Sequence, residues 1–190
     1  MTGRSGDDAT IRPATPDDAA AILEVVQSAY RGEESREGWT TEADLLDGVR
    51  TDRATVTAAI SGPAGLMLVA VDGPDASTGT VIACCQLERR ADPVAYFGMF
   101  AVRPQRQGGG LGRRLLAAAE DYASSQWAAG AMEMTVIIQR DDLISWYVRR
   151  GYVRTEQTRP FPYGDSRFGR PRRDDLEFVV LRKRLPVATG

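Results

Sequence analysis

Hydrophobic positions keep helical spacing from Leu111 onward. Leu111, Leu115, Ala118 and Tyr122 fall on one line, and Leu116, Ala119, Ala123 and Trp127 on the next. The two lines make a broad apolar stripe that predicts a helix of about five turns, with Gly130 as its C-terminal stop. Just upstream the pattern changes. Tyr96 to Val102 is a run of mostly apolar and aromatic residues broken by Pro104, which predicts a strand. Between the two stands Gln107-Gly108-Gly109-Gly110-Leu111-Gly112-Arg113. The predicted order is strand, glycine turn, helix N-terminus.

The rest of the chain is read in the same way. Thr10 to Arg12 predicts a first strand. Thr15-Pro16-Asp17-Asp18 is a helix start, with Thr15 as N-cap and Pro16 at N1. That helix is predicted to run to about Arg31, to turn Ala19, Ile22, Leu23, Val26 and Tyr30 inward, and to end at Gly32. Thr41-x-x-Asp44 has the form of a capping box and predicts a short helix through Leu45, Leu46 and Val49. Leu66 to Val71 and Thr80 to Leu87 read as strands, and Asp92-Pro93 turns the chain into the strand ending at Val102. These three strands form an antiparallel meander. Met132 to Gln139 alternates, with Met134, Val136 and Ile138 on one face and Glu133, Thr135 and Ile137 on the other. A short helix is predicted from Arg140-Asp141-Asp142 to a stop at Gly151, with strands from Tyr152 and over Asp174 to Leu185. Arg159 to Arg173 reads as a long loop of a functional or lid type. Met1 to Ala9 reads as a disordered tail and residues 10–190 as one domain, without repeat or linker.

Composition narrows the chemistry. A chain of 190 residues with 43% hydrophobic and 26% charged residues can bury a sizeable core. The net charge of -2 argues against nucleic acid as a partner, although arginines cluster at Arg103 to Arg114 and Arg167 to Arg173. The chain has no histidine, which excludes Ser/His and Cys/His catalysis and every His-ligated metal. Cys84 and Cys85 are adjacent in an apolar run, so on a strand they point to opposite faces and read as structural thiols. No metal site is expected. With neither a spanning segment nor a signal peptide in view, the expected location is cytoplasmic and away from membranes.

The glycine turn is the chemical focus. The first N–H groups of a helix lack internal partners and carry the positive end of its dipole, so a phosphate docks well there. Glycine permits positive φ and close approach, and Arg113 adds charge. The alternative is a plain strand–loop–helix connection. A Walker A loop needs Lys-Ser/Thr after its last glycine, and Arg113-Arg114 stands there instead. A dinucleotide fingerprint spaced from Gly108 and Gly110 needs glycine at position 113 and meets arginine.

Gln107-Gly108-Gly109-Gly110-Leu111-Gly112, after a strand ending Val102-Arg103-Pro104, resembles the coenzyme A signature Gln/Arg-x-x-Gly-x-Gly/Ala of the GNAT N-acetyltransferase superfamily. Tyr147-Val148-Arg149-Arg150-Gly151-Tyr152 is similar to the family's Tyr-x-x-x-Gly-Phe/Tyr element at the expected distance downstream. The resemblance covers about Thr10 to Leu185 in element order and is closest from Phe97 to Tyr152. It implies an α/β (α+β) single domain: a mixed, mostly antiparallel sheet of about six to seven strands flanked by about four helices. It also implies acetyl-CoA as cosubstrate. The backbone of Phe100, Ala101 and Val102 would pair with the pantetheine arm. Gln107, Gly108, Gly109, Gly110, Leu111, Gly112 and Arg113 would hold the pyrophosphate. Tyr147 would protonate the departing thiolate. Tyr147 read without the resemblance is a core aromatic on an amphipathic helix.

Two positions depart from the family pattern. Arg140 stands where many relatives have asparagine, seven residues before the tyrosine, and Thr135 stands about where some carry a glutamate. Glu133 on the same face, Glu88 and the acids of the Glu33 loop are candidate bases, and none is assigned. The resemblance thus implies direct transfer of acetyl from acetyl-CoA to a primary amine and a possible homodimer, and the acidic Glu33 loop and the Arg159 to Arg173 segment, as walls of a compact pocket, favour a small molecule. That acidic loop holding Trp39, from Gly32 to Thr40, is either part of a pocket for a cationic amine or a solvated connection. Alternatives are a protein or peptide N-acetyltransferase, a coenzyme A-binding regulatory module without turnover, and a nucleotide-binding domain using the same turn.

Overall fold

The computed structural model describes residues 9–165 and 168–186. The predicted tail over residues 1–8 lies outside them, and Ala9, assigned to that tail, is buried and accepts a hydrogen bond from Arg114 at 2.7 Å. Nine strands are described: β1 Thr10–Pro13, β2 Leu46–Asp47, β3 Gly65–Asp72, β4 Thr80–Arg89, β5 Val94–Val102, β6 Ala131–Ile137, β7 Val153–Pro160, β8 Arg170–Pro171 and β9 Glu177–Arg184. The helices are α1 Ala19–Tyr30, α2 Gly32–Ser35, α3 Arg53–Ser61, α4 Leu111–Trp127 and α5 Asp141–Val148.

Seven strands form one sheet in the order β1-β3-β4-β5-β6-β9-β7. Every pairing is antiparallel except β5 with β6. Helices cover both faces because the strands alternate. Met67, Val69 and Val71 of β3 join Ile22 and Val26 of α1 and Val56 of α3 on one side. Leu68 and Ala70 join Leu111, Leu115 and Leu116 of α4 on the other, where α5 also packs. Cys84 and Cys85 separate to the two faces as alternation requires. Burial pushes the Cys84 thiol up to about 12, and burial and the neighbouring Cys84 push Cys85 up as well. Neither supplies a thiolate near neutral pH.

One irregularity decides where a ligand can enter. β5 and β6 pair in parallel only at Val94–Ala131, Ala95–Met132 and Tyr96–Glu133. Beyond that β5 carries a bulge: Cys84 faces Ala101, but Gln86 faces Gly98. Met99 within the bulge takes φ 44, an uncommon conformation for a side-chain-bearing residue. The bend carries the end of β5 away from β6, and the sheet splays open there. Parallel pairing offers no short hairpin to hold the two strands together.

Several predicted elements are corrected. The stretch from Thr41 to Val49 is a turn leading into β2, not a helix. The Thr41 hydroxyl accepts from the Ala43 N–H two residues on, a local bond that competes with a helical cap. Gly48 at φ 85 then prevents continuation. Gly32 begins the single turn α2 rather than ending α1, which stops at Tyr30 because the next residue, Arg31, is extended at φ -130. Helix α1 opens through a 3-10 turn at Pro16–Asp18 with Thr15 at the predicted N-cap, its N–H donating to Asp18 at 2.7 Å, and Leu23 is only half-buried. The left-handed residue after α4 is Ala128, at φ 51, rather than Gly130. Arg159 to Arg173 is not a free lid: Arg159 and Pro160 belong to β7, Arg170 and Pro171 pair with β2, and Phe161 is buried beside Leu46, Ile137 and Leu176.

Candidate active site

At the splay the end of β5 meets the N-terminus of α4. Ala101 is paired with Cys84, and Arg103 donates to the Ile82 carbonyl in the same ladder. In an antiparallel ladder the flanking residues then turn their peptide groups the other way. Phe100 and Val102 therefore face the open edge, and Ala101 faces β4. This restricts the expected backbone site to alternate residues. Two carbonyls on that edge already have partners. The buried Tyr30 hydroxyl donates a very short hydrogen bond to the Phe100 carbonyl, and Gln107 Nε2 donates to that of Val102 at 2.9 Å.

Gln107 holds the turn together. Its amide also donates to Thr40 Oγ1 at 3.0 Å and accepts from the Trp39 N–H at 3.0 Å. Both amide hydrogens are thereby used within the protein, so its side chain positions the cradle and offers no donor to a ligand. Gly108 and Gly110, at φ 85 and 83, make the reversal that aims the chain into α4. A side chain at either position would be strained. Gly112 serves a different need. A Cβ there would lie 3.1 Å from Phe100 Cζ, so glycine lets α4 approach β5 closely. Leu111 is buried in the core and contributes to the turn only through its backbone.

No side chain caps α4 at Gly110, and the first internal bond is from the Arg114 N–H to the Gly110 carbonyl at 3.1 Å. The N–H groups of Leu111, Gly112 and Arg113 are thus without helical partners. Gly112 and Arg113 line a cleft of about 870 Å³, together with Phe100, Val102, Gly108 and Gly109. Ala101 and Leu111 do not line it, for the reasons given above. Arg149 and Arg150 at the end of α5 reach the same cleft. The Arg150 guanidinium lies 3.4 Å from the centre of the Trp146 ring, donates to the Trp146 carbonyl at 2.6 Å and leaves its buried Nε unpartnered. Burial first, then the charges of Arg149 and Arg113, pull Arg150 below the usual guanidinium range. Three like charges gathered beside unpaired N–H groups make an anion site, and the set fits a pyrophosphate. Arg149 and Arg150 were missed from sequence because α5 is brought to α4 only by the fold. The adjacent Arg-Arg before Gly151 was the available signal.

The other side of Phe100 opens on a second cavity of about 350 Å³. Tyr147 lines it, with Leu143 and Ile144 of the same helix buried nearby. Its ring meets the Phe97, Phe100 and Trp146 rings at 5.0–6.5 Å. Burial, then Tyr30 and Cys85, hold its phenol well above the ordinary value of 10, so it stays a neutral donor. Tyr30 is raised to about 12, by burial and by Glu42.

Arg140 is buried and donates to the carbonyls of Thr40 at 3.0 Å and Trp39 at 3.2 Å, while pairing with Asp142 at 3.1 Å. It clamps the Trp39 loop to the start of α5. Thr135 bonds the Tyr96 hydroxyl at 2.9 Å, and Glu133 pairs with Arg182 at 2.6 Å. Glu88 lies beside Arg90. Glu33 pairs with Arg36, and Glu37 accepts from Gln105 at 3.2 Å, so neither faces the second cavity. The acid that does is Glu42, held by Arg31 at 2.7 Å. The sequence reading passed over it as part of a predicted helix.

A sequence profile described as the acetyltransferase (GNAT) family matches residues 20–152. The chain belongs to this family. The match spans from α1 through the glycine turn to Tyr152 and so contains every residue that lines the anion cleft, while the second cavity also draws on Arg159, Pro160, Pro162, Phe168 and Phe178 beyond it. Among solved structures, this GNAT chain is similar to the ribosomal-protein-S18-alanine N-acetyltransferase from Escherichia coli, at 18% identity and a TM-score of 0.67, with 95% of this chain and 96% of that one covered. It is similar to nourseothricin acetyltransferase at 19% identity and a TM-score of 0.65, covering 94% and 99%. A Bacillus anthracis structure in complex with acetyl coenzyme A aligns at 16% identity and a TM-score of 0.53, covering 67% and 66%. No curated protein sequence matches the chain. Among the described residues there is no group of three or more possible metal ligands, and no helix is long and apolar enough to cross a membrane.

Proposed function

We propose that this GNAT protein transfers acetyl from acetyl-CoA directly to a primary amine of a small molecule, with Tyr147 as general acid. The observation that carries the reading is the meeting of two cavities at Phe100. One is built for a polyanion by the α4 N-terminus and Arg113, Arg149 and Arg150. The other is lined by Tyr147 and largely apolar.

The geometry supports the following roles. The first-turn N–H groups of Gly112 and Arg113 and the three arginines bind the pyrophosphate. The outward N–H groups of Phe100 and Val102 take the pantetheine arm along the open edge of β5, in the manner of an added strand. Attack of the amine forms the C–N bond and moves charge onto the thioester oxygen, which a backbone N–H near the end of β5 stabilises. Collapse breaks the C–S bond, and Tyr147 donates its proton to the leaving sulfur. The amine's extra proton leaves by solvent or by way of Glu42. A thiol of ordinary pKa about 8.5 is a tolerable leaving group, so Tyr147 assists the step rather than carrying it alone.

The test is a thermal melt with acetyl-CoA, using ATP and NAD as controls, followed by thiol release over a panel of amines. At about a hundred times its dissociation constant a ligand adds roughly 2.7 kcal/mol. A shift with acetyl-CoA alone, and thiol release that depends on an amine, is the expected result. No shift with acetyl-CoA overturns the reading.

A further inference from the structure

The charge around the acceptor cavity runs against a polycationic substrate. Its one carboxylate, Glu42, is already neutralised by buried Arg31 at 2.7 Å. Two more arginines, Arg50 and Arg159, line the same cavity. Arg50 sits 3.8 Å from Glu42 and 5.5 Å from the centre of the Tyr30 ring, and its guanidinium makes no hydrogen bond to a described residue. Among the described residues the Arg159 guanidinium bonds its neighbours, the Thr158 carbonyl and Gln157 Oε1. The cavity therefore carries an excess of positive charge with donors to offer. The rest of its wall is apolar: Phe97, Met134, Val136, Leu143 and Phe178 among others.

We infer that the acceptor is a free amino acid with a large apolar side chain, its carboxylate held by Arg50 with support from Arg159. This rests on acetyl transfer at the same site. Arg50 and Arg159 line the same cavity as Phe100 and Tyr147, so an acceptor with one amine and one carboxylate satisfies both the transfer site and the positive charge. A volume of about 350 Å³ suits a single amino acid and sits at the small end of ligand pockets. A di- or polyamine would place its second charge against Arg50 or Arg159. The acids that the sequence offers for a cationic amine, Glu33, Glu34 and Glu37, do not line this cavity, and Glu33 and Glu37 have partners.

The experiment compares matched acceptors in an acetyl-CoA thiol-release assay: phenylalanine, phenylalaninamide and phenethylamine, with leucine and spermidine alongside. A charge-assisted hydrogen bond to the carboxylate predicts kcat/KM at least about tenfold higher for phenylalanine than for its amide. In Arg50→Gln that ratio should fall to within about threefold, while Arg50→Lys restores part of it and Arg159→Gln lowers it less. The melt shift with acetyl-CoA should be retained in each variant, which shows that the fold and the cofactor cleft are intact. Equal or better turnover of the amide, phenethylamine or spermidine by the wild type overturns the carboxylate inference and leaves acetyl transfer standing. So does an acid-to-amide ratio that Arg50→Gln does not change. Acetyl-CoA binding with no amine-dependent thiol release from any acceptor overturns the transferase reading and this inference with it.

Discussion

Tyr147, the proposed general acid, is also a packing residue. Its ring is held edge-on by Trp146 and by Tyr152, at 5.0 and 5.7 Å, so the hydroxyl is placed by the core rather than by a flexible loop. The burial that fixes it also keeps it protonated, since desolvation disfavours the phenolate. Tyr147→Phe removes the proton and leaves the ring. The expected result is a fall in kcat of about 10–100-fold, because general-acid help is limited for a thiol leaving group. The acetyl-CoA melt shift should not change. The sign of the pH dependence follows from the raised pKa: the phenol stays in its acidic form at every pH below 10. The kcat of the wild type should therefore show no descending limb from this group between pH 7 and 9.5. A limb near pH 9 that disappears in Tyr147→Phe would sink the assignment.

At the level of elements, the turn before α4 was legible because every part of it is local. Apolar strand, proline, glycines and helical stripe follow one another within about thirty residues, and no distant contact is needed to read them. The two adjacent cysteines were legible for the same reason. What failed was decided elsewhere. The Thr41 segment resembles a helix start, but Glu42 turns inward to Arg31 and its neighbours pair with β8, so tertiary contacts override the cap. Helix α3 was passed over, although Asp52 caps it by accepting from the Thr55 N–H at 2.7 Å. Its apolar side is short, with Val56 its one fully buried residue. Within the Arg159 to Arg173 stretch the parts misread as loop are its short pairings: the end of β7 is exposed and lacks a hydrophobic rhythm, and β8 is two residues long. Gly110→Ala tests the turn at its own scale. A Cβ at φ 83 costs about 1–2 kcal/mol and tilts the first N–H groups of α4. The expected outcome is a melt a few degrees lower and a weaker acetyl-CoA shift, with the amine KM little changed. Retention of the full shift would show that the backbone reversal is not needed for the ligand.

Across the whole molecule the sheet behaves as two half-sheets with a narrow joint. β1, β3, β4 and β5 form one side, and β6, β9 and β7 the other. The joint is three residue pairs of parallel pairing, reinforced by α4 lying across it. The anion cleft spans the same divide: the glycine turn belongs to the β5 side, while Arg149 and Arg150 come from α5, which follows β6. The aromatic contacts of Phe100 with Trp146 and Tyr147 also bridge the halves, as do the Arg140 bonds to the Trp39 loop. A ligand in the splay therefore replaces strand pairing that the bulge at Met99 has prevented. It should lower local opening on both sides at once, because opening either half breaks its contacts. Hydrogen exchange measured with and without saturating acetyl-CoA checks this. Slower exchange is expected at the α4 N-terminus, along Phe100 to Val102 and through α5, with little change in β1, whose pairing with β3 is remote from the cleft. Protection confined to the glycine turn would mean that the ligand is held by one half alone. The arginines of α5 would then be bystanders, and the two-sided cradle would fall.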